Sequence, residues 1–282
     1  MSFQRLIRFR NPSDGVFYGE AGPKSVEQTD LIGQEIQVYS GDSPWMPNFK
    51  LSDRVETVEE ILCPLPSVPM VIGIGLNYRQ HANEAGMTPG PYPVTFTKPP
   101  DALAGPFERI PVHKECQWMD YEAELCFIIG EDCKNVSESE DAMHYILGYT
   151  VGNDVSSRYW QVPERSGNQH GPAKSFDKFA PIGPVIVSPT AIGNPHDLAI
   201  KAYVNGDLRQ SARTDDLIYD IPAIIRHLSR GTTLRRGTVV MTGTPSGVAA
   251  FLKPPQWLQD GDVVEVEIEK IGRIRNVINM EV

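Results

Sequence analysis

The 282-residue sequence has no apolar run approaching the roughly 20 residues that span a bilayer, so no membrane-crossing helix is expected. Cysteine is scarce. Cys63, Cys116, Cys126 and Cys133 form no CxxC pair, which excludes a zinc knuckle or dithiol redox motif and predicts reduced thiols. A basic surplus is also missing. Lys+Arg number 26 against 36 Asp+Glu, a formal net charge of −10. That balance argues against a nucleic-acid backbone binder, yet leaves room for a small anionic substrate met by a few local cations. Repeats and low-complexity segments are absent. The start, MSFQRLIRFR, carries three arginines but no apolar core of a secretory signal, and the final NMEV is no peroxisomal address. A cytoplasmic location is expected, with a mitochondrial one as the alternative.

What is present suits a folded chain. Hydrophobic residues make up 40% and charged residues 22%, and the length can bury a core without disulfide or metal staples. Short strands are predicted at Arg5–Arg10, Val16–Glu20 and Glu35–Tyr39, separated by turn residues. Pro64-Leu65-Pro66-Ser67-Val68-Pro69 reads as a boundary between a small N-terminal β region, 1–66, and a larger domain, 67–282. Further strands are expected at Leu125–Ile129, on both sides of the Asn205-Gly206 turn, at Thr238–Thr242, and where Val264, Val266 and Ile268 alternate with glutamates. One helix is clear: Ile221, Ile224, Ile225 and Leu228 recur at helical spacing, with Gly231 able to cap the end. Many strands and few helices predict a β-rich α+β fold.

Two glycine motifs mislead. Gly73-Ile74-Gly75-Leu76-Asn77-Tyr78 starts like a dinucleotide loop, but Tyr78 replaces its third glycine. Gly243-Thr244-Pro245-Ser246-Gly247 lacks the glycine two residues before serine that a nucleophile elbow needs; a tight turn with free amides is the simpler reading.

The acidic segment Asp120-Tyr121-Glu122-Ala123-Glu124-Leu125 is more informative. Glu122 and Glu124, two apart on a predicted strand, point to one face, where a hard divalent cation would relieve their repulsion. A solvated strand face reads equally well from this spacing alone. Asp154, after the apolar run Tyr145–Val151, reads either as a helix cap or as a third carboxylate. If its segment is helical, Arg158 and Gln161 share its face, and Lys174 follows in Pro172-Ala173-Lys174-Ser175. His81 and Glu84 are three apart, a surface contact or a carboxylate-oriented general base.

Taken in order, GLNYRQHANEAG, FTKPPDALAGP, DYEAEL, GYTVGNDVSSRYWQ with PAKSFDKFAPIGP, and VVMTGTPSGV followed by GDVVEVEIEKIGRIRN resemble the fumarylacetoacetate hydrolase family over about three quarters of the chain. The resemblance implies that family's β-rich α+β architecture, often a homodimer. It implies Mg²⁺ or Mn²⁺, with Ca²⁺ as a further option, held by Glu122, Glu124 and Asp154. It makes His81 and Glu84 the water-activating pair, Arg158, Gln161 and Lys174 a substrate-facing polar set, and Gly243-Thr244 a carboxylate-holding turn. Ala173 stands where many members have glycine, and Val162–His170 is an unfamiliar linker. The expected substrate is a small 2-oxo or β-diketo acid. The expected reaction is hydrolytic C–C cleavage of a 3-acylpyruvate. Oxaloacetate decarboxylation, isomerisation or tautomerisation of an unsaturated 2-oxo acid, and a non-catalytic metal-stabilised binding protein are the alternatives. His113, His144, His170, His196 and His227 read as surface or structural groups, and Trp118 and Tyr121 as packing groups.

Overall fold

The computed structural model describes residues 3–22 and 31–281. Its strands, in chain order, are β1 Arg5–Arg10, β2 Val16–Glu20, β3 Glu35–Ser40, β4 Lys50–Thr57, β5 Glu60–Leu62, β6 Val71–Gly75, β7 Val94–Lys98, β8 Leu103–Ala104, β9 Arg109–Val112, β10 Met119–Asp120, β11 Ala123–Ile129, β12 Ile146–Asn153, β13 Ser156–Ser157, β14 Ala180–Val187, β15 Ala199–Val204, β16 Asp207–Arg213, β17 Val239–Met241, β18 Val263–Ile268 and β19 Gly272–Met280. The longer helices are Arg79–Ala85 and Ile221–Ser229; single turns occur at Arg158–Gln161, Pro163–Ser166, Gly171–Lys174 and Pro189–Ile192. This is the β-rich α+β architecture expected from the sequence.

One large sheet runs β4-β3-β2-β1-β14-β12-β11-β17-β6-β7, with β5 joined to β1 and β8 to β14. A second, five-stranded sheet runs β16-β15-β18-β19-β9 and packs against β11, β12 and β14. The strand chemistry explains the layering. β11 (AELCFII) and β12 (ILGYTVGN) are buried along their whole length, so both carry near-continuous small and apolar residues. β18 is covered on one side only: Val264, Val266 and Ile268 are buried while Val263, Glu265 and Glu267 are half-buried. Pairing crosses the expected boundary at residue 66, because β1 is antiparallel to β14 through Arg5↔Val187 and Leu6↔Ile186.

The Asn205-Gly206 turn joins β15 and β16 with positive φ at both residues (52° and 85°), the combination that matches strand twist in a tight hairpin. Helix Ile221–Ser229 buries Ile221, Ile224 and Ile225, and the Asp220 side chain caps it by accepting from the Ala223 amide. The glycines at 73 and 75 belong to β6 itself. A Cβ on Gly73 would lie 2.1 Å from the Phe96 ring, so strand packing and not phosphate binding accounts for that glycine. Among the described residues, no helix is long and apolar enough to cross a membrane.

Candidate active site

The site forms at the adjoining ends of β12, β11 and β17. Antiparallel pairing sets Ala123 opposite Asn153 and Glu124 opposite Gly152, which delivers the two glutamates beside the residues that follow β12. The Asp154 amide donates to the Glu122 carbonyl at 2.9 Å, and the Glu122 amide donates to Asn153 Oδ1 at 2.9 Å. On the other flank, Cys126 pairs with Met241, so the turn after β17 reaches Glu124. There the Gly243 amide donates to Glu124 Oε2 at 2.6 Å.

Glu122, Glu124 and Asp154 are all buried, and one oxygen from each lies within 4.8 Å of the others. This is an all-oxygen donor set with no nitrogen or sulfur, suited to a hard divalent cation. Asp154 is no helix cap. It lies in the short link between β12 and β13, and the helical turn begins only at Arg158, because Ser156–Ser157 is drawn into pairing with Met119–Asp120. Arg158 and Gln161 therefore share no helical face with Asp154, and strand pairing brings Arg158 to Asp120 and Glu122 instead.

The carboxylates are embedded in cations. Lys174 Nζ contacts Asp154 Oδ2, reaches Glu122 Oε2 at 3.1 Å and donates to Ser156 Oγ at 2.8 Å. Arg158 Nη2 lies 2.7 Å from Glu122 Oε1 as an ion pair, Nε donates to Asp120 Oδ2 at 2.8 Å, and Nη1 donates to Gln161 Oε1 at 2.7 Å. Lys98, fully buried at the end of β7, pairs with Asp154 Oδ1 and donates to the carbonyls of Phe179 and Val155. Asp120 is in turn held by the Ala249 amide at 2.7 Å.

These charges shift one another's acidity. Burial alone would raise the Glu122 carboxyl, but Lys174 and Arg158 outweigh it and hold it at about 2. Glu124 moves the other way: burial, then the neighbouring Asp154 and Glu122 carboxylates, push it well above the usual range. Burial pulls Lys98 down against the attraction of Asp154. Lys174 is raised: burial opposes its charge, but Asp154 and Glu122 more than compensate. Four carboxyls (Asp120, Glu122, Glu124 and Asp154) face three cations (Lys98, Lys174 and Arg158). A proton on Glu124 neutralises the cluster, and a divalent cation would displace it.

His81 and Glu84 lie on helix Arg79–Ala85. His81 is buried and Nδ1 sits 3.0 Å from Glu84 Oε2, with the Phe251 ring edge-on at 5.6 Å. Glu84 Oε1 accepts from the Gly247 amide at 3.0 Å, and the Tyr121 hydroxyl donates to the Gly247 carbonyl at 2.9 Å. That chain ties the pair to the segment bearing Glu122, so Tyr121 does more than pack. Thr244 Oγ1 accepts from Gln210 Nε2 at 2.8 Å, and Gln210 Oε1 accepts from the Ala123 amide at 2.9 Å. The Gly243-Thr244 turn is thus engaged with Glu124 and with the support of β11.

Sequence reasoning gave no role to Lys98, Asp120, Gln210 or Gly247. A signal for Lys98 existed: two residues after Phe96 in a strand, it must share the buried face. A lysine there needs a carboxylate partner. Gly243 is required by its φ of +102° and by space, since a Cβ would fall 2.7 Å from the Asn77 Cβ.

The fumarylacetoacetate hydrolase C-terminal family profile matches residues 70–279, which hold every residue of this cluster. The chain belongs to the fumarylacetoacetate hydrolase family. Over 218 residues it is 42% identical to the mitochondrial oxaloacetate tautomerase of Xenopus laevis, covering 77% of this chain and 68% of that protein. It is 41% identical over 262 residues to a fumarylacetoacetate hydrolase domain-containing protein 2 homolog of Dictyostelium discoideum, covering 89% and 82%. Among solved structures, the 2-hydroxyhepta-2,4-diene-1,7-dioate isomerase of Mycobacterium marinum superposes with a TM-score of 0.81 at 33% identity, covering 99% of each chain.

Proposed function

We propose that the chain is a divalent-metal-dependent tautomerase of a small 2-oxo dicarboxylic acid of the oxaloacetate type. The observation that carries this reading is the division of labour between the buried cluster and the His81–Glu84 pair. Glu122, Glu124 and Asp154 would hold a divalent cation, which when bound would supply Lewis-acid polarisation of the 2-oxo acid. Lys174 and Lys98 are tied to Asp154, and the carboxylates around Lys174 raise its pKa, so Lys174 keeps its proton and meets negative charge on the substrate. His81 differs. Its Nδ1 faces Glu84, which fixes Nε2 as the free ring nitrogen, and Nε2 makes no hydrogen bond among the described residues. His81 Nε2 is the group we assign to carry the proton to and from carbon 3. The names of the Xenopus and mycobacterial proteins, a tautomerase and an isomerase, support proton transfer over bond cleavage.

The same pair supports one second reading, hydrolytic C–C cleavage of a 3-acylpyruvate, in which His81 takes its proton from water instead of carbon. One assay separates the two. The protein with Mg²⁺ or Mn²⁺ is given enol-oxaloacetate and, separately, acetylpyruvate, following loss of enol absorbance and release of pyruvate. Tautomerisation predicts rapid decay of enol-oxaloacetate with carbon count unchanged and no pyruvate from acetylpyruvate; pyruvate release from acetylpyruvate selects hydrolysis. Homodimerisation belongs to the same proposal, with a particle of twice 31.3 kDa expected by light scattering.

A further inference from the structure

His170 reads from the sequence as a structural histidine ahead of the Lys174 turn. In the structure it ends a chain of side chains that begins at the carboxylate cluster. Gln161 Nε2 meets His170 Nδ1 at 2.9 Å, Gln161 Oε1 accepts from Arg158 Nη1 at 2.7 Å, and Arg158 grips Asp120 and Glu122. We propose that His170 is a positioning residue that holds the Arg158 guanidinium against the substrate side of the site by fixing the amide of Gln161. The inference rests on the reading of Arg158 as a substrate-facing group in the proposed tautomerase.

The donor–acceptor logic gives the chain a direction. A guanidinium has only donors, so Gln161 must turn its carbonyl oxygen to Arg158. Its NH₂ then faces His170, and Nδ1 must be an acceptor. The ring is therefore neutral with its proton on Nε2. Protonating the ring would set N–H against N–H. Flipping the amide to satisfy His170 would set NH₂ against the guanidinium, so no arrangement satisfies all three once His170 is charged.

The surroundings favour the neutral ring. His170 is tilted against the Phe96 ring of β7, with centroids 5.7 Å apart. Burial, then Lys174 and Arg158, lower its pKa, against the opposing pull of Glu122 and Asp154. The cleft beside it, of about 900 Å³, adds Arg230, Arg235 and His227 and no carboxylate side chain. Loss of the acceptor, by mutation or by acid, should let the Gln161 amide turn and take away the support of Arg158 Nη1, leaving the guanidinium held only by Asp120 and Glu122.

Two arms test this. In the full chain with ¹⁵N-labelled histidine, the His170 signals are those lost in His170→Asn. Near neutral pH they should show a neutral ring protonated on Nε2; a ring protonated on Nδ1 overturns the proposal. In the second arm, His170→Leu should lower kcat/KM for enol-oxaloacetate about tenfold, the scale of one lost polar partner, mostly through KM. His170→Asn, whose amide oxygen can stand in for Nδ1, should recover most of that loss. Wild-type values in the leucine variant, or an asparagine variant no better than leucine, overturn the proposal. If the wild type leaves enol-oxaloacetate unchanged, the tautomerase reading fails by itself. His170 is then judged by the ring signals and by calorimetric affinity of the Mg²⁺-loaded chain for oxalate, which should weaken about tenfold in His170→Leu and recover in His170→Asn.

Discussion

The carboxylate–lysine cluster and the His81–Glu84 pair are supported in opposite ways. The cluster grows from the ends of three neighbouring strands, and its carboxylates, lysines and backbone amides are removed from water. The pair sits on a seven-residue helix whose far end is exposed, joined to the rest by the Gly247 turn and the Phe251 ring. In the first region, each charge exists because another pays for its burial. In the second, the groups remain close enough to solvent to exchange protons. A charge-balanced cradle and a His–Glu pair on a lighter support suit the proposed tautomerisation: one part would hold the anion still, the other would deliver and remove the proton.

Of the changes that test this contrast, Asp154→Asn should have the largest effect. It leaves Lys98 and Lys174 facing a neutral amide, so the metal-free protein should lose about 3–5 kcal/mol in denaturant titrations. Mn²⁺ binding followed by electron paramagnetic resonance should also be lost. Unchanged stability would show that the lysines do not depend on this carboxylate. His81→Ala should do the reverse: turnover falls roughly 100-fold or more, with thermal stability and Mn²⁺ affinity close to wild type. A comparable loss of metal binding would erase the distinction between the regions.

Gly243→Ala tests the joint between β17 and Glu124. A side chain at φ +102°, against Asn77, should cost about 1–3 kcal/mol and weaken metal affinity by turning the amide away from Glu124. The smallest effect is on pH. Glu124 is raised by burial and by Asp154 and Glu122, so metal must displace its proton. Calorimetric Mg²⁺ affinity should therefore rise with pH, by at most about tenfold per unit while Glu124 remains protonated, and the slope should vanish in Glu124→Gln. The sign for folding is opposite. Without metal the folded chain binds that proton more tightly than the unfolded chain, so stability falls as pH climbs from the ordinary carboxylate range toward the elevated one. Saturating Mg²⁺ should remove the fall.

Much of this was legible in the residues. Period-two alternation marks β18, Asn205-Gly206 marks the hairpin, and the spacing of Ile221, Ile224, Ile225 and Leu228 marks a helix, because each depends on neighbours in the chain. Glu122, Glu124 and Asp154 were identifiable through the motif order, and the structure gathers them. Other contacts were not legible for a common reason. Asp154 looked like a cap because nothing local announces that Ser156–Ser157 will pair with Met119–Asp120. The contact of His170 with Gln161, nine residues away, forms only when the intervening turns fold back. Lys98 drew no attention because its carboxylate lies 56 residues further along the chain.

By itself, then, the sequence determined the β-rich class, the family, and the inventory of three carboxylates, a His–Glu pair and a few cations. Those follow from side-chain chemistry and short-range spacing, which survive without tertiary contacts. Tertiary structure alone decided which strand ends adjoin, which carboxyl is pushed toward its protonated form and which carboxylates the lysines pair with. Those depend on long-range register and on the exclusion of water, and electrostatic coupling between carboxylates and ammonium groups becomes strong only when packing removes the solvent that would screen it.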